Sequence, residues 1–269
     1  MGQQVNISGG AIAGIDKFET VVGAGARFRG HMTGKRQGLS KRFELEWVPG
    51  NYGIPSANAD LVSATEATNI TCDRDFEILG TNATTDDALV YVEGGVQLVT
   101  SGSDGDSCIL VPHLDANQTA WQKVTWGTDQ EVEWEALIET GAAITTSIIW
   151  AGLKLTNTSV AVTDDDQLYF RYENGVNSGK WQAISTSSGT DSISDAGVAA
   201  VVLATKYHLK ITVDDARVAR FYINDVLVKT TSAMDAADLT PYIGVEEDGA
   251  SSARTLYVYG QSISRSPGA

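Results

Sequence analysis

Long apolar runs are missing from this 269-residue sequence. No stretch approaches the ~20 residues that a helical bilayer crossing needs, so no membrane partner is expected. Cysteine is scarce: Cys72 and Cys108 are the only two. They have neither CxxC spacing nor a nearby histidine pair, which argues against a zinc site and leaves two buried or half-buried thiols. The three histidines (His31, His113, His208) are far apart, and neither GxSxG nor GxxxxGK[ST] occurs. Nothing therefore promotes a catalytic triad or a phosphate cradle, and no cofactor is expected. The start, Met1-Gly-Gln-Gln-Val-Asn6, has no basic and apolar signal-peptide pattern. Asn6 stands where a myristoylated Gly2 would want Ser or Thr. Positive charge is also short, with 19 Lys and Arg against 34 Asp and Glu, a net −15. A surface of that sign does not wrap nucleic acid.

The bases that are present cluster early. Residues 1–43 hold seven bases and two acids; the rest of the chain holds 12 bases and 32 acids. Ten of the 27 glycines fall within the first 50 positions. Glycine at this density raises the entropy lost on ordering. Short alternations, Arg27-Phe28-Arg29 and Phe43-Glu-Leu-Glu-Trp47, are each cut off by turn residues. The segment reads as an extended basic arm over 1–48 that orders against a partner, followed by a connector over 49–70.

From Phe76 onward, short strands and turns follow one another without helices between them. Expected strands include Phe76–Leu79, Ala88–Val92, Val96–Thr100, Cys108–Val111, Glu131–Glu139 and Thr145–Leu155. Further on come Gln167–Tyr172, Lys180–Ile184, Lys206–Val213, Val218–Ile223, Val226–Thr230, Thr240–Val245 and Arg254–Ser262. Tyr207, Leu209, Ile211 and Val213 share one face, the period of a strand with one dry side. Asn174-Gly175 and Asn224-Asp225 suit tight hairpin turns. The fold class is all-β, an antiparallel jelly-roll sandwich over 71–269.

Several residues in the last third carry a resemblance. Lys206-Tyr-His-Leu-Lys-Ile-Thr-Val213 precedes the hairpin Phe221-Tyr-Ile-Asn-Asp-Val-Leu-Val228, and Leu256-Tyr-Val-Tyr259 closes the chain. This resembles the concanavalin A-like, laminin-G-like jelly roll, with Asp225 where glycine is commoner. That fold hosts enzymes, lectins and viral modules alike. The Gly-rich arm ahead of a jelly roll is similar in style to the capsid cement, or decoration, proteins of tailed bacteriophages.

Chemistry-bearing residues are few. Glu131, Glu133 and Glu135 alternate along one strand, about 7 Å apart. Jelly-roll β-glucanases carry E-x-D-x-x-E; here Glu133 replaces the middle acid and Ala136 the last. The plainer reading is a wet acidic face behind an inward Val132, Trp134 and Ala136. Asp164-Asp-Asp166 and Ser103-Asp-Gly-Asp106 offer oxygen ligands without EF-hand spacing and read as hydrated hairpin tips, with no metal expected. Trp134 and Trp150 read as core; Trp121, Trp126 and Trp181 are the surface or interface candidates.

The resemblance and the charge partition imply a non-enzymatic virion protein. It would be made in the host cytoplasm and clamp the major capsid protein, or another virion protein, on the outside of a phage head. Trimeric self-association is expected by analogy. Arg27, Phe28, Arg29, Lys35, Arg36, Arg42 and Trp47 are the expected arm contacts, on charge and apolar content. The alternative is a carbohydrate-binding or tail-fibre module whose partner is a glycan; a glycan hydrolase comes third.

Overall fold

Bulky residues at every second position can bury only one side of a strand, and that rule separates the two sheets of this protein. The computed structural model describes residues 17–21, 27–31, 43–47, 62–63, 76–83, 87–91, 95–112, 120–121, 124–156, 164–194, 198–249 and 251–266. Twenty strands occur among them. They are β1 (Lys17–Val21), β2 (Arg27–His31), β3 (Phe43–Trp47), β4 (Val62–Ser63), β5 (Phe76–Leu79), β6 (Ala88–Val90) and β7 (Val96–Val99). Next are β8 (Ser107–Pro112), β9 (Ala120–Trp121), β10 (Val124–Thr125), β11 (Glu133–Thr140), β12 (Ser147–Lys154), β13 (Gln167–Glu173) and β14 (Gln182–Ser187). The chain closes with β15 (Thr190–Ser194), β16 (Lys206–Val213), β17 (Val218–Ile223), β18 (Val226–Ala233), β19 (Thr240–Glu247) and β20 (Thr255–Arg265).

The first sheet runs β1-β2-β3-β20-β11-β16-β17-β18, with β7 also on β20 and β6 on β7. The second runs β15-β14-β13-β12-β19-β8-β5-β4. Pairing is antiparallel except between β4 and β5. The two sheets pack face to face as the expected sandwich. Trp134, Leu209, Ile211, Phe221 and Ile263 of the first sheet meet Leu110, Leu153, Leu168, Phe170 and Ile243 of the second in one buried cluster. Phe170 and Phe221 cross that interface edge to face at 5.3 Å. Trp181 stands edge-on to Tyr172 at 6.3 Å and to Tyr207 at 5.6 Å. Such pairs add to the burial of their area. Lys229 of β18 donates from Nζ to the carbonyls of Ala183 and Ser192, closing the gap to β14 and β15 at one side. Burial holds its pKa down at about 8, against the pull of Asp191.

Some expectations need correction. Trp126 and Trp181 are fully buried rather than interfacial; the Trp181 ring lies against Tyr172 of one sheet and Tyr207 of the other. Asn174-Gly175 does not close a tight hairpin, because a 3-10 turn at Asn177–Gly179 lengthens the connection to β14. Between the expected strands Lys180–Ile184 and Lys206–Val213 the chain forms a further strand, β15, whose Thr186–Asp191 and Ile184–Ile193 pairs extend the sheet. Asn224-Asp225 behaves as expected, with φ of 50° and 64° at its two residues. Phe43–Trp47 pairs along β20, from Phe43 opposite Arg265 to Trp47 opposite Gln261. The arm and connector limits at residues 48 and 70 both lie outside the described residues.

Candidate functional site

Strand β12 has no wet side: all eight of its residues are buried. Ile149, Ala151 and Leu153 point into the core between the sheets. Ile148, Trp150, Gly152 and Lys154 therefore point the other way, onto the outer face of the second sheet. There Ile109, Val111, Ile148, Trp150, Tyr169, Ile184 and Tyr242 form a second apolar cluster.

Strand register lays this face out in rows. One row places Gln182, Arg171, Trp150 and Gly244 side by side. The next places Ile184, Tyr169, Gly152 and Tyr242. A third places Thr186, Gln167, Lys154 and Thr240. Gly152 lies between two tyrosines whose ring centroids are 6.4 Å apart. A Cβ on Gly152 would come 2.2 Å from the Leu168 carbonyl oxygen, so the close approach of β13 requires glycine. A Cβ on Gly244 would meet Ile109 Cγ1 at 2.7 Å. The centre of the face thus has aromatic walls and no side chain at two neighbouring positions.

The polar groups here are partly satisfied. Lys154 Nζ lies 3.6 Å from Asp164, which also accepts from the Thr156 amide and hydroxyl, each at 2.9 Å. Gln167 Nε2 donates to the Asp164 carbonyl at 3.1 Å. Arg171 pairs with Glu173. Among the described residues, four atoms of this face have no protein partner: Trp150 Nε1, Gln167 Oε1, Arg171 Nε and the Tyr242 hydroxyl. Gln167, Tyr242 and Trp150 are 0%, 1% and 4% exposed. Buried polar atoms are nearly always bonded, and an unbonded one costs about 1–3 kcal/mol. All four belong to outward residues of β12, β13 and β19.

Burial keeps the two tyrosine hydroxyls of this face neutral. Burial pushes Tyr169 up to about 12, with Asp191 adding and Arg171 opposing. Burial, then Tyr169 and Asp164, raise Tyr242 well above the phenol range. Both hydroxyls stay protonated and act as donors and acceptors. Burial lowers Lys154 and outweighs the raising pull of Asp164. At the end of the face, burial first and then Asp248 lift Glu246 to about 7.

Asp164 is consequently a bonded member of this face, not a hydrated tip. Asp106 is buried too, accepting from Asn82 Nδ2 and the Ser103 amide at 2.7 Å each. Both acids were read as wet because a run of Asp gives no hint of the backbone amides that later solvate it. Cys108 is fully buried, its thiol pushed up to about 12 by burial and then by Asp87; Cys72 lies outside the described residues.

The acidic stripe of β11 behaves as the plainer reading expected. Val132, Trp134 and Ala136 are buried, while Glu131, Glu133 and Glu135 face solvent. Glu133 pairs with Lys210 at 3.0 Å and Glu135 with His208 at 3.3 Å. Of the arm residues, Arg27, Phe28 and Arg29 have their backbone in β2 and Trp47 in β3. Lys35, Arg36 and Arg42 lie outside the described residues, as does the Trp121 side chain. The structure brings none of these to the outer face of the second sheet among the described residues.

Sequence reasoning passed over Lys154, Gln167, Tyr169, Arg171 and Tyr242. One signal was present: Ile148-Ile-Trp-Ala-Gly-Leu153 is apolar at every position, which requires a strand covered on both sides.

No protein-family model and no curated protein matches this sequence. Solved structures do. A protein of unknown function from Shewanella oneidensis MR-1 is similar at a TM-score of 0.53 and 13% identity, over 89% of this chain and 98% of that one. The apo Crh5 transglycosylase is similar at 0.52 and 14% identity, over 81% and 88%. The metal-free carbohydrate recognition domain of Emp46p is similar at 0.50 and 8% identity, over 70% and 87%. These identities speak to the fold, a concanavalin A-like jelly roll.

Proposed function

We propose that this protein is a glycan-binding module whose ligand is taken by the outer face of the second sheet, where Tyr169, Tyr242 and Gln167 are at most 1% exposed and have to become accessible for binding. The observation that carries this reading is the set of four partnerless polar atoms beside the Tyr169–Tyr242 pair. A pyranose ring has an apolar C–H face that stacks on aromatics and a rim of hydroxyls that both donate and accept. Gln167 Oε1 offers an acceptor, Arg171 Nε and Trp150 Nε1 offer donors, and Tyr242 offers either. Neighbours of the same fold include a carbohydrate recognition domain and a transglycosylase, which supports the ligand class. Binding is favoured over turnover because, among the described residues of this face, both tyrosines are held protonated and Lys154 and Arg171 lie against carboxylates.

A glycan array probed with the full chain tests this. Retention of defined glycans is expected, weakened at least tenfold in Gln167→Ala and in Tyr242→Phe. No retained glycan, or retention untouched by both substitutions, rejects the reading. Release of new reducing ends from a retained glycan moves the protein to the hydrolase reading.

The virion reading keeps one supporting observation, the basic leader on an acidic body. It places the protein on a capsid surface, with shell subunits as partners and a clustered, trimeric state. Deleting 1–48 would then abolish binding to phage heads and leave the sandwich folded; retained binding rejects it.

A further inference from the structure

We infer that the opposite, outward face of the first sheet carries a second saccharide site, built from residues separate from the first and sharing only its ligand class. It is an open cleft of about 250 Å³ between β11, β16 and β20.

A bulge makes the cleft. Ile138 pairs with Val258 and Leu137 with Gly260, so Tyr259 is an extra residue in β20. A bulge bends its strand and re-aims the side chain it inserts. Gly260 places no side chain opposite Leu137, and the floor stays open. Leu137, 39% exposed, is an apolar residue on an otherwise charged face. Tyr259 forms the facing wall. Its hydroxyl donates to Glu139 at 2.5 Å and Lys206 Nζ sits 4.1 Å from its ring centroid, so the ring is held in place. Tyr91 stands edge-on to Tyr259 at 6.2 Å and tilts against Tyr257 at 4.4 Å, carrying the aromatic surface away from the cleft.

The polar side is equally ordered. Glu135 accepts from the Ser262 hydroxyl at 3.2 Å, and its other oxygen lies 3.3 Å from His208 Nε2. His208 Nδ1 lies 3.5 Å from Asp225. Gln261 borders the cleft but is 3% exposed. Its Oε1 accepts from the Trp134 indole at 3.1 Å. The Gln261 side chain thus belongs to the core side of the sheet, opposite Ala136, and does not face the cleft.

Hydrogen-bonding capacity selects the ligand. Glu133, Glu135 and Glu139 each have a basic neighbour within 4 Å: Lys210 at 3.0, His208 at 3.3 and Lys206 at 3.9 Å. These side chains present donors and acceptors together, which the hydroxyls of a polyol match. One pyranose ring fits between Leu137 and Tyr259, with hydroxyls on Glu135, His208 and Ser262. The volume lies below the ~300–1,000 Å³ of drug-sized pockets, so one ring is held and further units run over Tyr257 and Tyr91. Sites on opposite faces of a sandwich cannot be filled by one short oligosaccharide. The protein would bridge two glycan chains, with avidity for polymers that exceeds its affinity for fragments.

The experiment is an NMR titration of the 15N-labelled full chain. The probes are the hexasaccharides of β-1,3-glucan, β-1,4-glucan and β-1,4-mannan. Saturable shifts are expected at the amides of Leu137, His208 and Gly260–Ser262. Leu137→Asp should weaken them at least tenfold, and Gln167→Ala on the other face should leave them unchanged. Shifts confined to the second sheet, removed by Gln167→Ala, would overturn the second site and keep the proposed function. Shifts on neither face with any of the three probes would overturn this site and count against glycan binding as a whole.

Discussion

Glu133, Glu135, Leu137 and Glu139 on β11 and Ile148, Trp150, Gly152 and Lys154 on β12 hold equivalent places, the outward alternate residues of a central strand. On the first sheet these positions are wet, and the carboxylates meet cations across the strands at 3.0 to 3.9 Å. On the second they are buried among tyrosines and a tryptophan. Water screens the first face, so its ion pairs contribute little stability each. Exclusion of water from the second makes each polar atom's partner matter, and four atoms lack one. The same fold thus separates a tolerant surface from one where a bound hydroxyl would be strongly felt.

Matched truncations break this comparison most directly. Tyr242→Ala should cost about 3–5 kcal/mol, the range for a buried aromatic. Leu137→Ala on the wet face should stay within about 1 kcal/mol. Urea unfolding of both decides it, and equal losses would mean that the two faces do not differ as described.

Gly152→Ala comes next. Its Cβ would press on the Leu168 carbonyl, and overpacking of this kind costs about 1–3 kcal/mol. A midpoint equal to that of the parent protein would show that β12 and β13 can separate without loss.

Glu246 sharpens the comparison through pH. Its carboxyl is raised from 4.5 to about 7 in the folded protein. The folded state then holds more protons than the unfolded chain between those values, so this group's contribution is intact below pH 4.5 and lost as pH rises through 7. Glu246→Gln should remove that fall and add on the order of 1–2 kcal/mol at pH 8, after discounting for partial exposure. An unchanged pH profile by calorimetry would place Glu246 in water.

The smallest effect belongs to the first sheet. A double-mutant cycle on Glu133→Gln and Lys210→Met should give a coupling of about 0.2–1 kcal/mol that shrinks as salt is added. A coupling of several kcal/mol, insensitive to salt, would make that face as dry as the other.

Much of the fold was legible along the chain. Lys206–Val213 and Val218–Ile223 form strands at the expected residues because their alternation of apolar and polar groups is a local property. The wet stripe of β11 follows from the same alternation. Thr190–Ser194 was not legible, since a polar edge strand carries no buried face to mark it. Trp181 was misplaced because nothing near it in sequence reveals Tyr172 and Tyr207 as its neighbours.

By itself the sequence determined the all-β class, the strand periods and the partition of charge, since each depends on which residues stand within a few positions of one another. Tertiary structure alone decided that Lys154, Gln167, Tyr169, Arg171 and Tyr242 share one face, and that a bulge at Tyr259 opens a cleft on the other. Those facts depend on the register between strands up to about 130 residues apart, and register is set by the packing of whole sheets rather than by any local preference.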